Sequence, residues 1–228
     1  MHKTAGSILF IGVLAAAAFG QPPIIPAEPA PAPAGAPERI VLIYLPQQLF
    51  NEEEFEPTLK RISQAGVKTM LVASDSGVAV SMSQLIVRLD LALRDVNVAS
   101  YAGLVLVGGA GAALHWDDSL LQAKCREFAD NGKVVAAIGI APVTLARAGV
   151  LKGRKATMFR DRVAIEWFKQ AGARFRFKGV VADRNIITAE SSEQASDFGK
   201  AVARAVLKAT AMPSAERRTP NDVVRTSK

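Results

Sequence analysis

Between Ile40 and about Lys208 the chain alternates short β-branched runs with longer segments whose apolar residues recur every three or four positions. That alternation predicts strands separated by helices, and hence an α/β fold with a mostly parallel sheet packed between helical layers. The predicted strands are Ile40 to Leu45, Lys68 to Ala73, Gly103 to Val107, Val134 to Ile138, Val180 to Ala182 and Ile186 to Thr188. Asn51 is placed to cap a helix with Glu54 three positions on, and Phe55, Leu59 and Ile62 form its inward stripe. Ser119 with Gln122, and Ser191 with Gln194, repeat the capping-box spacing. Behind them Leu121, Cys125, Phe128 and Ala129 share one helical face, and Ala195, Phe198, Val202 and Val206 share another. Gly149 sits where the helix after Pro142 should stop, and Asp183-Arg184-Asn185 suits a tight turn between two strands.

The two ends differ in kind from this middle. Residues 1–20 combine Lys3 with an apolar run from Ile8 to Phe19 and end in Ala18-Phe19-Gly20, with small residues where a signal peptidase inspects the chain. The run is shorter than the roughly 20 residues that cross a bilayer. A cleaved signal peptide is therefore expected, with no stable membrane span afterwards and the protein exported to the periplasm or the outside medium. Residues 21–38 hold seven of the twelve prolines, mixed with alanine, and read as an extended linker. Residues 212–228 are polar and basic and read as a disordered tail. The folded domain expected between them is 39–211.

Composition narrows the chemistry. Half of the 228 residues are apolar but only 6% are aromatic, which suits a core of Val, Ile, Leu and Ala. The single cysteine, Cys125, excludes an intrachain disulfide framework and a CxxC redox pair. Two histidines are too few for most zinc enzymes, and no metal site is expected. The net charge of +7 comes from basic residues that look scattered, with no aromatic-basic face beside them, so no nucleic-acid partner is expected.

In an open parallel sheet, ligands bind beyond the carboxyl ends of the strands, near the point where strand order reverses. Two predicted strands end in glycine, as Val107-Gly108-Gly109-Ala110-Gly111 and as Ile138-Gly139-Ile140-Ala141-Pro142. The first lacks the GxGxxG spacing of a dinucleotide site, and no GKS or GKT follows it, so no nucleotide or other cofactor is expected.

Three segments carry a family resemblance: Tyr101-Ala-Gly-Leu-Val-Leu-Val-Gly-Gly109; Gly132-Lys-Val-Val-Ala-Ala-Ile138 running into Ala148-Gly-Val-Leu-Lys-Gly-Arg-Lys-Ala-Thr157; and Val180-Val-Ala-Asp-Arg-Asn-Ile-Ile-Thr188. Together they resemble the ThiJ/PfpI family of the class I glutamine amidotransferase-like superfamily, over about Arg39 to Lys208. The resemblance implies a flavodoxin-like three-layer sandwich, a homodimer or larger ring, and relatives that include cysteine peptidases, glyoxalase- and deglycase-like enzymes and stress proteins. In active members the strand corresponding to Val134 to Ile138 runs into a sharp turn that carries a cysteine nucleophile. Here Gly139 occupies the cysteine position and Ile140 the histidine position. The family also keeps a glutamate four residues before a proline, which hydrogen-bonds the thiol; Glu53 stands four before Pro57. Glu53 also fits the plainer role of an acid in the first turn of a helix, as do its neighbours Glu52 and Glu54.

A residue at such an elbow is held in a sparsely populated backbone conformation that costs a non-glycine residue about 1–3 kcal/mol. Glycine escapes most of that strain while deleting the chemistry. The expected protein is therefore an exported pseudoenzyme, a small-molecule-binding or structural module with Glu53, Gly108, Gly109, Gly139 and Ile140 around its pocket. The alternative is a hydrolase or lyase of the same family that uses Glu53 and His115 with a water nucleophile. His115 is the sole histidine after residue 2, and an imidazole can carry protons near neutral pH. Cys125 shares a helical stripe with apolar residues and is expected to be buried and unreactive.

Overall fold

The computed structural model describes residues 39–211, so the signal peptide, linker and tail expected at 1–20, 21–38 and 212–228 lie outside the described residues. The elements run β1 (Ile40–Tyr44), β2 (Gln48–Phe50), α1 (Glu52–Gln64), β3 (Lys68–Ala73), β4 (Val78–Ser81), β5 (Ile86–Arg88), β6 (Leu91–Ala92) and β7 (Gly103–Leu106). They continue with α2 (Ser119–Asp130), β8 (Val134–Ile138), α3 (Pro142–Arg147), β9 (Lys155–Ala156), α4 (Arg162–Gln170), β10 (Arg174–Phe175), β11 (Val180–Asp183), β12 (Ile186–Ala189) and α5 (Ala195–Ala211).

Seven strands form one sheet in the order β11-β12-β8-β7-β1-β3-β6. All pairs are parallel except the β11–β12 hairpin. Its turn passes through Arg184 at φ 58, the left-handed conformation that the tight turn at Asp183-Arg184-Asn185 requires. The chain steps one way from β1 to β3 and the other way from β1 to β7, so the order reverses beside β1. This is the flavodoxin-like arrangement, and it places the ligand crevice at the carboxyl ends of β1 and β7.

Helices cover both faces, as the continuously apolar strands demand. On one side Val41, Ile43, Val105, Ala136 and Ile187 pack against α1 and α5. On the other Leu42, Leu104, Val135 and Ala137 pack against α2, α3 and α4. Full burial of one such Val, Leu or Ile side chain contributes about 1.5–3 kcal/mol. α1 and α5 cross closely because Gly199 has no Cβ; one there would come within 2.8 Å of the Thr58 carbonyl oxygen.

The predicted strands are found, with ends shifted by a residue at β1, β7, β11 and β12. Three features differ from expectation. The cap of α2 is Asp118, whose Oδ1 accepts from the amides of Leu120 and Leu121, while Gln122 donates to the carbonyl of Trp116 instead of closing a capping box with Ser119. A separate β2-β4-β5 sheet, the β9–β10 ribbon and α4 are present where no element was predicted. And the basic residues are not scattered: β9, α4 and β10 gather them on one lobe, beside exposed Phe159 and Phe177.

Candidate functional site

The site begins with how α1 is fixed. Asn51 caps it, its side chain accepting from the Glu53 amide at 3.0 Å. The Asn51 amide donates to the Gly108 carbonyl at 3.1 Å, which ties the start of α1 to the loop after β7. From that anchor the helix turns Glu54, Phe55, Thr58 and Ile62 inward. Glu54 is 4% exposed, and its Oε2 accepts from the Gly108 amide at 2.8 Å. Burial pushes the Glu54 carboxyl up to about 7, against the opposing pull of the Gly108 amide and the Asn51 side chain.

Gly139 ends β8 in the left-handed region at φ 65, so the elbow keeps the conformation that the resemblance implies. A Cβ at Gly139 would collide with Glu54 Oε1 and lie 2.9 Å from Glu54 Cδ. A Cβ on Gly108 would lie 2.6 Å from Glu54 Oε2 and 2.9 Å from the Ile138 carbonyl. The space beside the elbow is thus filled by a carboxyl group. The rest of the turn is hydrogen-bonded: the Gly139 amide donates to Ala189, the Phe159 amide to Gly139, and the indole of Trp116 to the Ile140 carbonyl at 3.2 Å. Gly109, at φ 99, packs its backbone against Leu49 and Phe50.

The carboxylate at the elbow is Glu54 and not Glu53, and this corrects the sequence-based placement. Glu53 is exposed and its Oε2 accepts from the Ser192 hydroxyl at 3.2 Å. Counting back from Pro57 selected the wrong residue. The helical period would have found the right one, since Glu54 stands one turn before Thr58 and two before Ile62.

His115 stands at the same carboxyl edge of the sheet, beside Val107 and Ala141, and not against either glutamate's carboxyl in the cavity it lines. It lines a cavity of about 10 Å³ with Tyr44, Ala141 and Thr144, room for about one water, and neither Glu53 nor Glu54 lines that cavity. His115 packs edge-on to Tyr44, with ring centroids 5.8 Å apart, and its Nδ1 is 3.8 Å from Asp118 Oδ2. A polar line continues from Asp118 through Ser74 to the Tyr44 hydroxyl, 2.9 Å from Ser74 Oγ. Burial pushes the Tyr44 hydroxyl far above its ordinary value, so it stays protonated. The sequence did not single out Tyr44 or Ser74 in this role. Cys125 is fully buried in α2, and burial pushes its thiol up to about 12. Trp116 and Trp167 stack edge to face at 5.2 Å, with the Arg147 guanidinium 3.9 Å over Trp167. Among the described residues no group of three or more His, Cys, Asp or Glu could hold a metal ion.

An open parallel sheet with a strand-to-helix elbow at its carboxyl edge, facing a carboxyl group from the helix after β1, defines a flavodoxin-like domain. The chain belongs to the DJ-1/PfpI family, whose model matches residues 39–205. It is 38% identical to an uncharacterised protein of Methanocaldococcus jannaschii over 171 residues, 75% of this chain and 83% of that one. Its identity to Protein/nucleic acid deglycase 2 of Escherichia coli is 27%, over 68% of this chain and 91% of that one. Among solved structures, the ThiJ/PfpI domain protein of Brachyspira murdochii superposes with a TM-score of 0.71 at 28% identity, covering 76% of this chain and 99% of the other.

Proposed function

We propose that this chain is a DJ-1/PfpI domain that works without a nucleophile, as an exported structural or binding module. The observation that carries this is the Glu54 carboxyl lying in the volume where a side chain on Gly139 would stand. With the Gly108 amide already occupied by Glu54, a small anion or carbonyl compound would have to displace an internal ligand to reach Gly108, Gly109, Gly139 and Ile140. The only cysteine is buried in a different layer, which leaves no thiol to attack a substrate. A homodimer is part of this proposal, and light scattering on the purified protein tests it.

A hydrolase or lyase of the deglycase or peptidase type is the second reading. One observation favours it: Glu54 holds its proton to about neutral pH, where a general acid–base works well. Glu54 then replaces Glu53 in the role, and His115 lines a cavity that Glu54 does not line.

The two separate in one assay. Purified protein is expected to show no turnover of methylglyoxal-modified amines or of peptides beside the Escherichia coli deglycase as positive control. Small aldehydes and carboxylates are expected to leave its melting temperature unchanged. Turnover that disappears in Glu54→Gln would overturn the proposal and establish the second reading.

A further inference from the structure

Ten Lys or Arg and two Asp or Glu lie between Arg147 and Lys178, a local surplus larger than the +7 of the whole chain. The fold concentrates them. In the β9–β10 ribbon Arg174 stands directly opposite Lys155, with Arg176 two residues on, and all three are exposed. Like charges facing across a ladder destabilise it. Acidic neighbours relieve only part of the lobe, with Asp117 on Arg147, Asp183 near Arg154, Glu190 on Arg160 and Glu166 on Lys169. Lys152, Lys155, Arg174 and Lys178 have no acidic partner among the described residues.

Apolar side chains stand among these charges. Phe177 is 78% exposed, Val163 61% and Phe159 52%. Phe177 is held in place rather than loose: its edge meets Phe175 at 5.1 Å and the Arg160 guanidinium lies 5.7 Å from its ring. Phe175 in turn packs on the buried Phe168 of α4. An open groove of about 460 Å³ runs along α4, lined by Arg162, Val163, Glu166, Trp167 and Gln170.

We infer that this lobe docks on an anionic phospholipid surface, with Phe159 and Phe177 at headgroup depth and the Lys and Arg rim on the phosphates. Apolar tips ringed by cations bind at such interfaces, each basic residue near the surface adding attraction that salt screens. A second copy of the chain does not fit this face, because the two cationic surfaces would repel. A nucleic acid is the other polyanion that a basic face with exposed aromatics could meet, and the vesicle and oligonucleotide arms of the test separate the two. This inference does not rest on the chemistry of the elbow.

The test uses the chain from Gln21 onward, without the expected signal peptide, and flotation with vesicles of phosphatidylcholine, alone or mixed with phosphatidylglycerol. Binding is expected only to the mixed vesicles, and it should weaken about tenfold or more when Arg174→Glu and Arg176→Glu are combined, or at high salt. Phe177→Ser should weaken it at unchanged salt dependence. Lys60→Glu, on the opposite helical layer, should leave it intact. Equal binding to neutral vesicles, or unchanged binding by the Arg174/Arg176 variant, would overturn the inference. Binding to single-stranded oligonucleotides without binding to vesicles would also overturn it.

Discussion

Burial strips Glu54 of hydration and holds its proton up to about pH 7, against the opposing pull of the Gly108 amide and the Asn51 side chain. Its folded value lies above the ordinary 4.5, which fixes the sign of its effect on stability. The contribution of the protonated group is complete below about pH 4.5, drains as the unfolded chain alone ionises, and is lost once the pH passes about 7. Glu54→Gln, which keeps an acceptor for Gly108 without the charge, is therefore expected to be more stable than wild type at pH 8 by on the order of 3 kcal/mol. At pH 4 the two should nearly coincide. Urea unfolding at both values checks this, and an equal difference at both would contradict it. At Gly139 any Cβ meets both a left-handed backbone and the Glu54 carboxyl. Gly139→Ala should cost roughly 1–3 kcal/mol. Part of that cost should vanish in a Glu54→Ala background, since the two residues share the space; additive losses would show that they do not.

At the scale of elements, α2 depends on Asp118, which caps two amides and also faces Ser74 and His115. Asp118→Ala is expected to destabilise the domain by about 1–2 kcal/mol, read as a lower midpoint in urea. Loss of under a few tenths would mean that Ser119 takes over the cap as the sequence alone suggested. The strands were legible because continuous apolar runs of four to six residues leave little choice of element. The helix starts were less so: Asp118 and Ser119 are both good caps, and the fold gives the role to Asp118, whose Oδ1 reaches the Leu120 and Leu121 amides. Glu54 was missed for a related reason. Three adjacent glutamates look alike in composition, and the helical phase set by Phe55, Thr58 and Ile62 is what turns one of them inward. Helix α4 escaped notice because its apolar residues are split between faces, with Ala164 and Phe168 buried but Val163 in solvent.

Across the whole molecule, the order of the seven-stranded sheet follows from strand–helix alternation, whereas the small β2-β4-β5 sheet has no comparable signal in strands of three or four residues. Charge is a property of this scale as well. Basic residues spread over some thirty positions look diffuse along the chain, and become one lobe only when β9 and β10 pair and α4 folds onto them. Glu54 is buried beside Gly139 and Arg174 is exposed on the β9–β10 ribbon, so a change at Arg174 should leave the pH dependence of stability set by Glu54 untouched.

The account turns on whether any group in the native protein can form a covalent bond with a substrate. Intact-mass measurement after incubation of the folded protein with iodoacetamide and with methylglyoxal-modified amines addresses this directly. The expected result is no added mass on Cys125, whose thiol is fully buried and pushed up to about 12, until the chain is unfolded, and no substrate-derived adduct at any residue. A substrate adduct on the native protein, formed alongside turnover that alkylation abolishes, would contradict the account.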